Sequence, residues 1–271
     1  RINVDWPRFA YAKAKEGPKG RRGMNRLEGM NAVVTGSGRG LGAEIAVLFA
    51  KEGARVLVAD VDFSSAEQVV DQIRARRGEG MPISADVTSA DDVGRMMDAS
   101  TDRYGRVDIL VNNAGIASQG SVTDLGEEDW DRVMEVNIKG AYLCSRAAIP
   151  QMKEAGAGSI ICISSASGVI GQRGQVAYNV SKHALIGLVR CMALDHAAEG
   201  IRVNAVCPGV MNTPMLEALS DDQLADLRAM HPIGRIAEAS EIAQTVLHLA
   251  GDEASFTTGA VFLVDGGLTA M

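Results

Sequence analysis

Short apolar runs of strand length alternate with helical stretches along nearly the whole chain, and this order constrains the fold more than any other feature. NAVVT (31–35), RVLVAD (55–60), MPISA (81–85), VDILVN (107–112), SIICIS (159–164), IRVNAVC (201–207) and AVFLV (260–264) read as strands. Between them, residues 41–52, 64–77, 89–104, 127–154, 176–199 and 242–249 carry apolar side chains at helical spacing. Ser64 is the expected N-cap of the second helix, and Pro150 is expected to bend the fourth near its end. The strands are apolar on both faces, which requires a parallel sheet covered on both sides. The expected fold class is α/β: one doubly wound parallel sheet with helices on both faces. The 271 residues suffice for a single large domain, taken as 24–271, and no internal repeat is present.

Charge is unevenly spread. Residues 1–23 hold seven Lys/Arg against two Asp/Glu and end in a Gly/Pro/basic run. They read as an N-terminal extension, either an arm onto a neighbouring subunit or a segment ahead of a natural start at Met24. The remainder is strongly acidic, which argues against nucleic acid as a partner. No apolar run approaches the roughly 18 residues of a membrane span. Cys144, Cys162, Cys191 and Cys207 form no CxxC and no Cys/His cluster, so neither a metal site nor a disulfide framework is expected. Reduced thiols in a cytoplasmic protein are the expectation.

TGSGRGLG (35–42) follows the first strand and opens the first helix. Glycines here let the backbone approach a pyrophosphate, and the helix N-terminus offers free N–H groups to it. Asp60 ends the next strand and can accept hydrogen bonds from ribose hydroxyls. Together these parts describe a Rossmann-type dinucleotide site. Arg39 could reach a 2′-phosphate, but Asp60 would repel one, so NAD is expected over NADP. Tyr178 and Lys182 stand four residues apart in a helical stretch, so their side chains share one face.

These motifs, in this order, resemble the classical short-chain dehydrogenase/reductase family over residues 27–271. TGSGRGLG is similar to the family's TGxxxGxG loop, which implies cofactor contacts from Gly36, Ser37, Arg39, Gly40, Leu41 and Gly42, with Asp60 and Val61 beyond. Asp86 and Val87 resemble its adenine contact. NNAG (112–115) resembles its fourth-strand motif, bringing in Asn113, Ala114 and Gly115. Pro208, Gly209, Val210 and Thr213 match the segment that closes over the nicotinamide. Asn137, Ser165, Tyr178 and Lys182 match its catalytic residues, and Tyr178 and Lys182 would also contact the cofactor.

The implied reaction is hydride transfer between a secondary alcohol and the nicotinamide. Free tyrosine, with a pKa of about 10, is a poor base at neutral pH. The ammonium of Lys182 and an oxidised nicotinamide are both expected to lower it. Lys182 would also hold the nicotinamide ribose. Ser165 would donate to the substrate oxygen. Asn137, by resemblance, would hold a water that links Lys182 to solvent. His183 lies on another helical face and reads as structural, and no GxSxG elbow is present.

In this family the substrate is held by the segments after the active-site serine and after the Pro-Gly pair, the latter over about 208–235. Here they supply Ser167, Gln172, Gln175, Met211, Met215 and Leu216. The mostly apolar set favours a neutral hydroxy or keto compound. An NADPH-dependent 3-oxoacyl-[acyl-carrier-protein] reductase is the alternative. Such enzymes use basic residues for the acidic carrier, at positions that correspond here to Leu143 and Leu194. A non-catalytic dinucleotide-sensing regulator is the remote one. The resemblance further implies a homo-oligomer, a tetramer, built on the stretches 127–154 and 176–199.

Overall fold

The computed structural model describes residues 25–212 and 220–270. Seven strands form one parallel sheet: β1 (Asn31–Thr35), β2 (Arg55–Asp60), β3 (Glu79–Ser84), β4 (Ile109–Asn112), β5 (Gly158–Ile163), β6 (Ile201–Pro208) and β7 (Val261–Val264). Their order is β3-β2-β1-β4-β5-β6-β7. Every residue of β1 and β4 is buried. Alternation explains why both faces had to be apolar: Ala32 and Val34 enter one core cluster and Val33 the other. Helices α1 (Gly40–Lys51), α2 (Phe63–Ala75) and α8 (Ala239–Ala250) pack on the first face with Ile45, Phe49, Val70 and Val246. Helices α3 (Ala90–Tyr104), α5 (Gly140–Ala155) and α6 (Val176–His196) pack on the second with Met96, Cys144 and Leu185. Each such side chain contributes about 1.5–3 kcal/mol by leaving water.

Three sequence expectations need correction. Asp62, not Ser64, caps α2: its carboxylate accepts from the N–H groups of Ser64 (3.0 Å) and Ser65 (3.4 Å). The hydroxyls of Ser65 and Ser64 hold that carboxyl low, near a pKa of about 2. Strand β3 starts at Glu79 rather than Met81. The stretch 127–154 is not one helix. α4 (Glu127–Met134) passes through a π-helical turn (Glu135–Lys139) into α5, and Pro150 lies inside α5 without ending it. A widened turn shifts the register of everything after it, and such turns gather at functional sites. A helix that sequence periodicity does not reveal, α7 (Asp221–Ala229), follows residue 220. It buries no side chain and is held at its start by a capping box between Ser220 and Gln223.

The strand order reverses between β1 and β4, so the chain leaves their carboxyl ends in opposite directions. That opens the crevice in which open α/β sheets hold ligands.

Candidate active site

The glycine turn fills one side of this crevice. Gly36 has φ +60°, and a Cβ there would stand 2.7 Å from the Cα of Ala114. Glycine is therefore required at this position on two counts: left-handed backbone and contact with the turn after β4. Asn113 locks the same contact, its amide donating to the carbonyls of Thr35 (3.0 Å) and Gly36 (2.8 Å). Thr35 receives the N–H groups of Asn113 and Ala114 on its hydroxyl. This bracing role of Thr35 is not visible in the motif. Ser37 is buried, and its hydroxyl donates to Val34 O at 2.7 Å, so it shapes the turn from within. Helix α1 then begins with no acidic residue in its first turn and no side-chain cap from Arg39, leaving its first N–H groups available. Asp60 faces the turn and accepts from Gly38 N (2.9 Å) and Asp62 N (3.1 Å). Leu41 and Val87 are buried, Val87 against Gly140. Val61 is exposed, and so is Asp86, whose carboxylate caps Thr88.

The structure brings Asn137, Ser165, Tyr178 and Lys182 to the same crevice. Asn137 sits in the π-helical turn, 1% exposed. Its Oδ1 accepts from Ile116 N (2.8 Å), and its Nδ2 donates to Ile116 O (2.9 Å) and Ser181 Oγ (2.9 Å). The side-chain amide of Asn137 thus fixes the chain after Gly115 against α6. A Cβ on Gly115 would lie 3.3 Å from both Asn137 Oδ1 and Lys182 Nζ, so the three converge.

Lys182 is 4% exposed, and its Nζ donates to Ile163 O at 2.9 Å and lies 5.5 Å from the ring centre of Tyr178. Burial lowers its pKa to about 8. Burial pushes the Tyr178 hydroxyl above the ordinary tyrosine value, while a hydrogen bond with Ser165 pulls it down by less. The expected lowering of Tyr178 by Lys182 is therefore not a property of the chain alone. Desolvation is the larger effect, and it keeps the hydroxyl protonated.

Behind Ser165 runs a short hydrogen-bond chain. Ser165 Oγ donates to Ser167 Oγ (3.2 Å), and Ser167 Oγ donates to Gln172 Oε1 (2.7 Å). Gln172 is itself held by Asn179 Oδ1, which accepts its backbone N–H at 2.9 Å. Gln172→Leu should deprive buried Ser167 of its acceptor and lower kcat/KM about fivefold, the effect of about 1 kcal/mol, without changing cofactor affinity. Steady-state kinetics with each substrate varied in turn checks this. Gln175 stands at the start of α6 without a side-chain capping bond, and Met211 bridges to Ala237. Gly209 and Val210 are anchored by Val264 O and by the N–H of Ala237. Thr213, Met215, Leu216 and the extension 1–23 lie outside the described residues. A cavity of about 340 Å³ is walled by Gly209, Val210 and, from β7, Leu263 and Val264, and its walls do not include Ser165 or Tyr178.

Residues 36–269 match the family described as enoyl-(acyl carrier protein) reductase. An uncharacterised oxidoreductase from Thermotoga maritima is 40% identical over 90% of this chain and 99% of its own length. The chain is a classical short-chain dehydrogenase/reductase. As a member of that family it is an oxidoreductase of CH–OH groups, and the family works with NAD or NADP. A cis-4-hydroxycyclohexanecarboxylate dehydrogenase from Sinomonas cyclohexanicum is 41% identical over 89% of this chain and 96% of its own. A 3-oxoacyl-[acyl-carrier-protein] reductase from Thermotoga maritima is 38% identical over 90% and 99%. The crystal structure of a short-chain dehydrogenase/reductase from Mycobacterium marinum superposes with a TM-score of 0.87 at 35% identity, over 90% of this chain and 97% of that one. Among the described residues of this dehydrogenase, no helix is long and apolar enough to cross a membrane.

Proposed function

We propose that this enzyme interconverts a neutral secondary alcohol and its ketone using NAD(H). The placement of Asp60 carries the cofactor choice. Its carboxylate is pinned against the glycine turn by Gly38 N and Asp62 N, so a fixed negative charge stands where the adenosine ribose would lie. Ribose hydroxyls can donate to that charge, and a 2′-phosphate would be repelled by it. The turn at Gly36, the free N–H groups of α1 and the braced strand ends Asn113–Gly115 form a cradle that fits a dinucleotide. When bound, the nicotinamide supplies the hydride chemistry and, oxidised, a positive charge.

The chain's own residues manage one proton. Ser165 holds the substrate oxygen. Tyr178 gives its proton to a ketone oxygen or takes one from an alcohol. Its protonated form is the favoured one in the chain alone, so base action needs added positive charge beside it. Lys182 supplies part of that charge, and Asn137 fixes the strand end against which Lys182 is packed.

The substrate reading rests on Ser167, Gln172, Gln175 and Met211, which offer neutral polar and apolar contacts. The carrier-protein alternative is weakened at both of its diagnostic positions. Leu143 is buried in the core, where no carrier can reach it, and Leu194 is 81% exposed but apolar. The half-exposed Tyr142 on α5 and exposed Val180 and Leu194 on α6 support assembly of a homo-oligomer through these helices. Free cysteines, three of them buried, suit a reduced cytoplasmic setting.

Asp60→Ala should shrink the preference for NAD over NADP by roughly tenfold, chiefly through a lower KM for NADP. Initial rates with each cofactor measure this. A wild-type enzyme that already prefers NADP contradicts the role given to Asp60.

A further inference from the structure

One buried histidine outside the catalytic set joins three separated pieces of the molecule. His231 is 3% exposed. Its Nε2 lies 3.1 Å from the backbone N–H of Val210, and its Nδ1 lies 2.8 Å from Leu227 O in α7. A carbonyl only accepts and an N–H only donates, so the ring is held as one neutral tautomer, with the proton on Nδ1. The contact with the Val210 segment is close-packed as well. A Cβ on Gly209 would lie 2.8 Å from Nε2 and 2.9 Å from the Cα of Asp265, and one on Gly266 would lie 3.6 Å from the ring. The ring therefore wedges between the segment after β6, helix α7 and the turn after β7. No sequence motif marks it.

The geometry points to His231 as a positioning residue that sets the Gly209–Val210 backbone for the cofactor by accepting the Val210 N–H. This rests on the proposed role of that segment in closing over the nicotinamide. The bond has a built-in condition. A ring carrying both protons has no acceptor for Val210 and presents N–H against N–H. The charged groups around it do not provide a substitute. The carboxylate of Asp265 is engaged by Gly267 N (3.1 Å), Thr269 N (2.9 Å) and Thr269 Oγ (2.6 Å). Arg235 and Glu241, on the same cavity wall as His231, pair with each other through two contacts of 2.6 Å. Arg228 on α7 is exposed. Loss of the acceptor at Nε2 therefore leaves the Val210 N–H without a partner and loosens the cofactor segment.

Two variants separate this role from plain packing. His231→Gln keeps an acceptor within reach of Val210 and cannot gain a second proton. His231→Leu keeps bulk and removes the acceptor. NADH and NADPH are titrated into each full-length protein by fluorescence at neutral pH, with thermal melts alongside. The Gln variant should bind within about twofold of wild type, and the Leu variant about fivefold to tenfold more weakly. Wild-type affinity in the Leu variant overturns the proposal, and so does an equal loss in the Gln variant. If Leu does not fold, the Gln variant decides, a loss of about fivefold or more there overturning the proposal. If wild-type protein binds neither cofactor, the dehydrogenase reading itself falls and takes this one with it.

Discussion

Tyr178→Phe is expected to bind NAD within about twofold of wild type and to lose roughly a thousandfold or more in kcat. Phenylalanine keeps the ring, its packing on α6 and its place over Lys182 Nζ, 5.5 Å away in the wild type. Only the hydroxyl goes, and with it the hydrogen bond to Ser165 and the one group placed to exchange a proton with the substrate oxygen. A change seen mainly in KM would instead mark Tyr178 as a binding residue. Because the hydroxyl of the chain alone is pushed up by burial, the wild-type rate of alcohol oxidation should rise with pH, and ketone reduction should weaken over the same range. Paired pH profiles in the two directions check the sign.

Lys182→Met should inactivate the enzyme and, at neutral pH, stabilise its fold. The ammonium is 4% exposed, and its pKa drops from 10.5 to about 8 on burial. That shift corresponds to a penalty of about 3 kcal/mol for carrying the charge in the folded state. Methionine removes the penalty but also the bond to Ile163 O, which contributes about 1 kcal/mol. A net gain of about 2 kcal/mol is expected, read as a higher urea midpoint with unchanged slope. The sign with pH is the reverse of the usual case for a paired lysine. Between about 8 and 10.5 the unfolded chain holds a proton that the folded one releases, so wild-type stability rises with pH across this window. The advantage of the methionine variant should shrink over the same interval. A variant that is less stable than wild type at pH 7 would show that Lys182 contributes more to the fold than its burial costs.

Most of the architecture was legible because strand runs such as NAVVT and RVLVAD carry consecutive apolar residues on both faces, and a doubly covered parallel sheet buries such runs. The cofactor turn was legible for a related reason: a residue with φ +60° packed on Ala114 has to be glycine, so function is written as composition. The shared face of Tyr178 and Lys182 followed from spacing alone. Other features were hidden because they depend on what lies across the fold. The π-helical turn at 135–139 carries no sequence signal of its own, yet it is where Asn137 reaches Ile116 and Ser181. Asp62 caps α2 rather than Ser64 because a carboxylate can take two N–H groups and two hydroxyls at once. Helix α7 buries nothing, so no period announces it. The direction of the Tyr178 shift could not be read from a neighbouring lysine, since it is set by how deeply Tyr178 itself is buried. The burial of Leu143 depends on which face α5 turns to the sheet, which the match to a carrier-binding position does not tell. His231 has no motif at all, and its bonds to Val210 and Leu227 exist only in three dimensions.

The central claim is that this chain oxidises neutral secondary alcohols with NAD. The direct measurement is the formation of reduced cofactor with a panel of alicyclic and aromatic secondary alcohols, with NAD and NADP compared at equal concentration. The account predicts turnover of at least one such alcohol with a kcat/KM for NAD at least about tenfold above that for NADP. Binding of NAD without turnover of any alcohol or of the matching ketones would contradict it and favour a dinucleotide-sensing regulator; turnover confined to NADP and carrier-bound 3-oxoacyl substrates would contradict it in favour of the carrier-protein reductase.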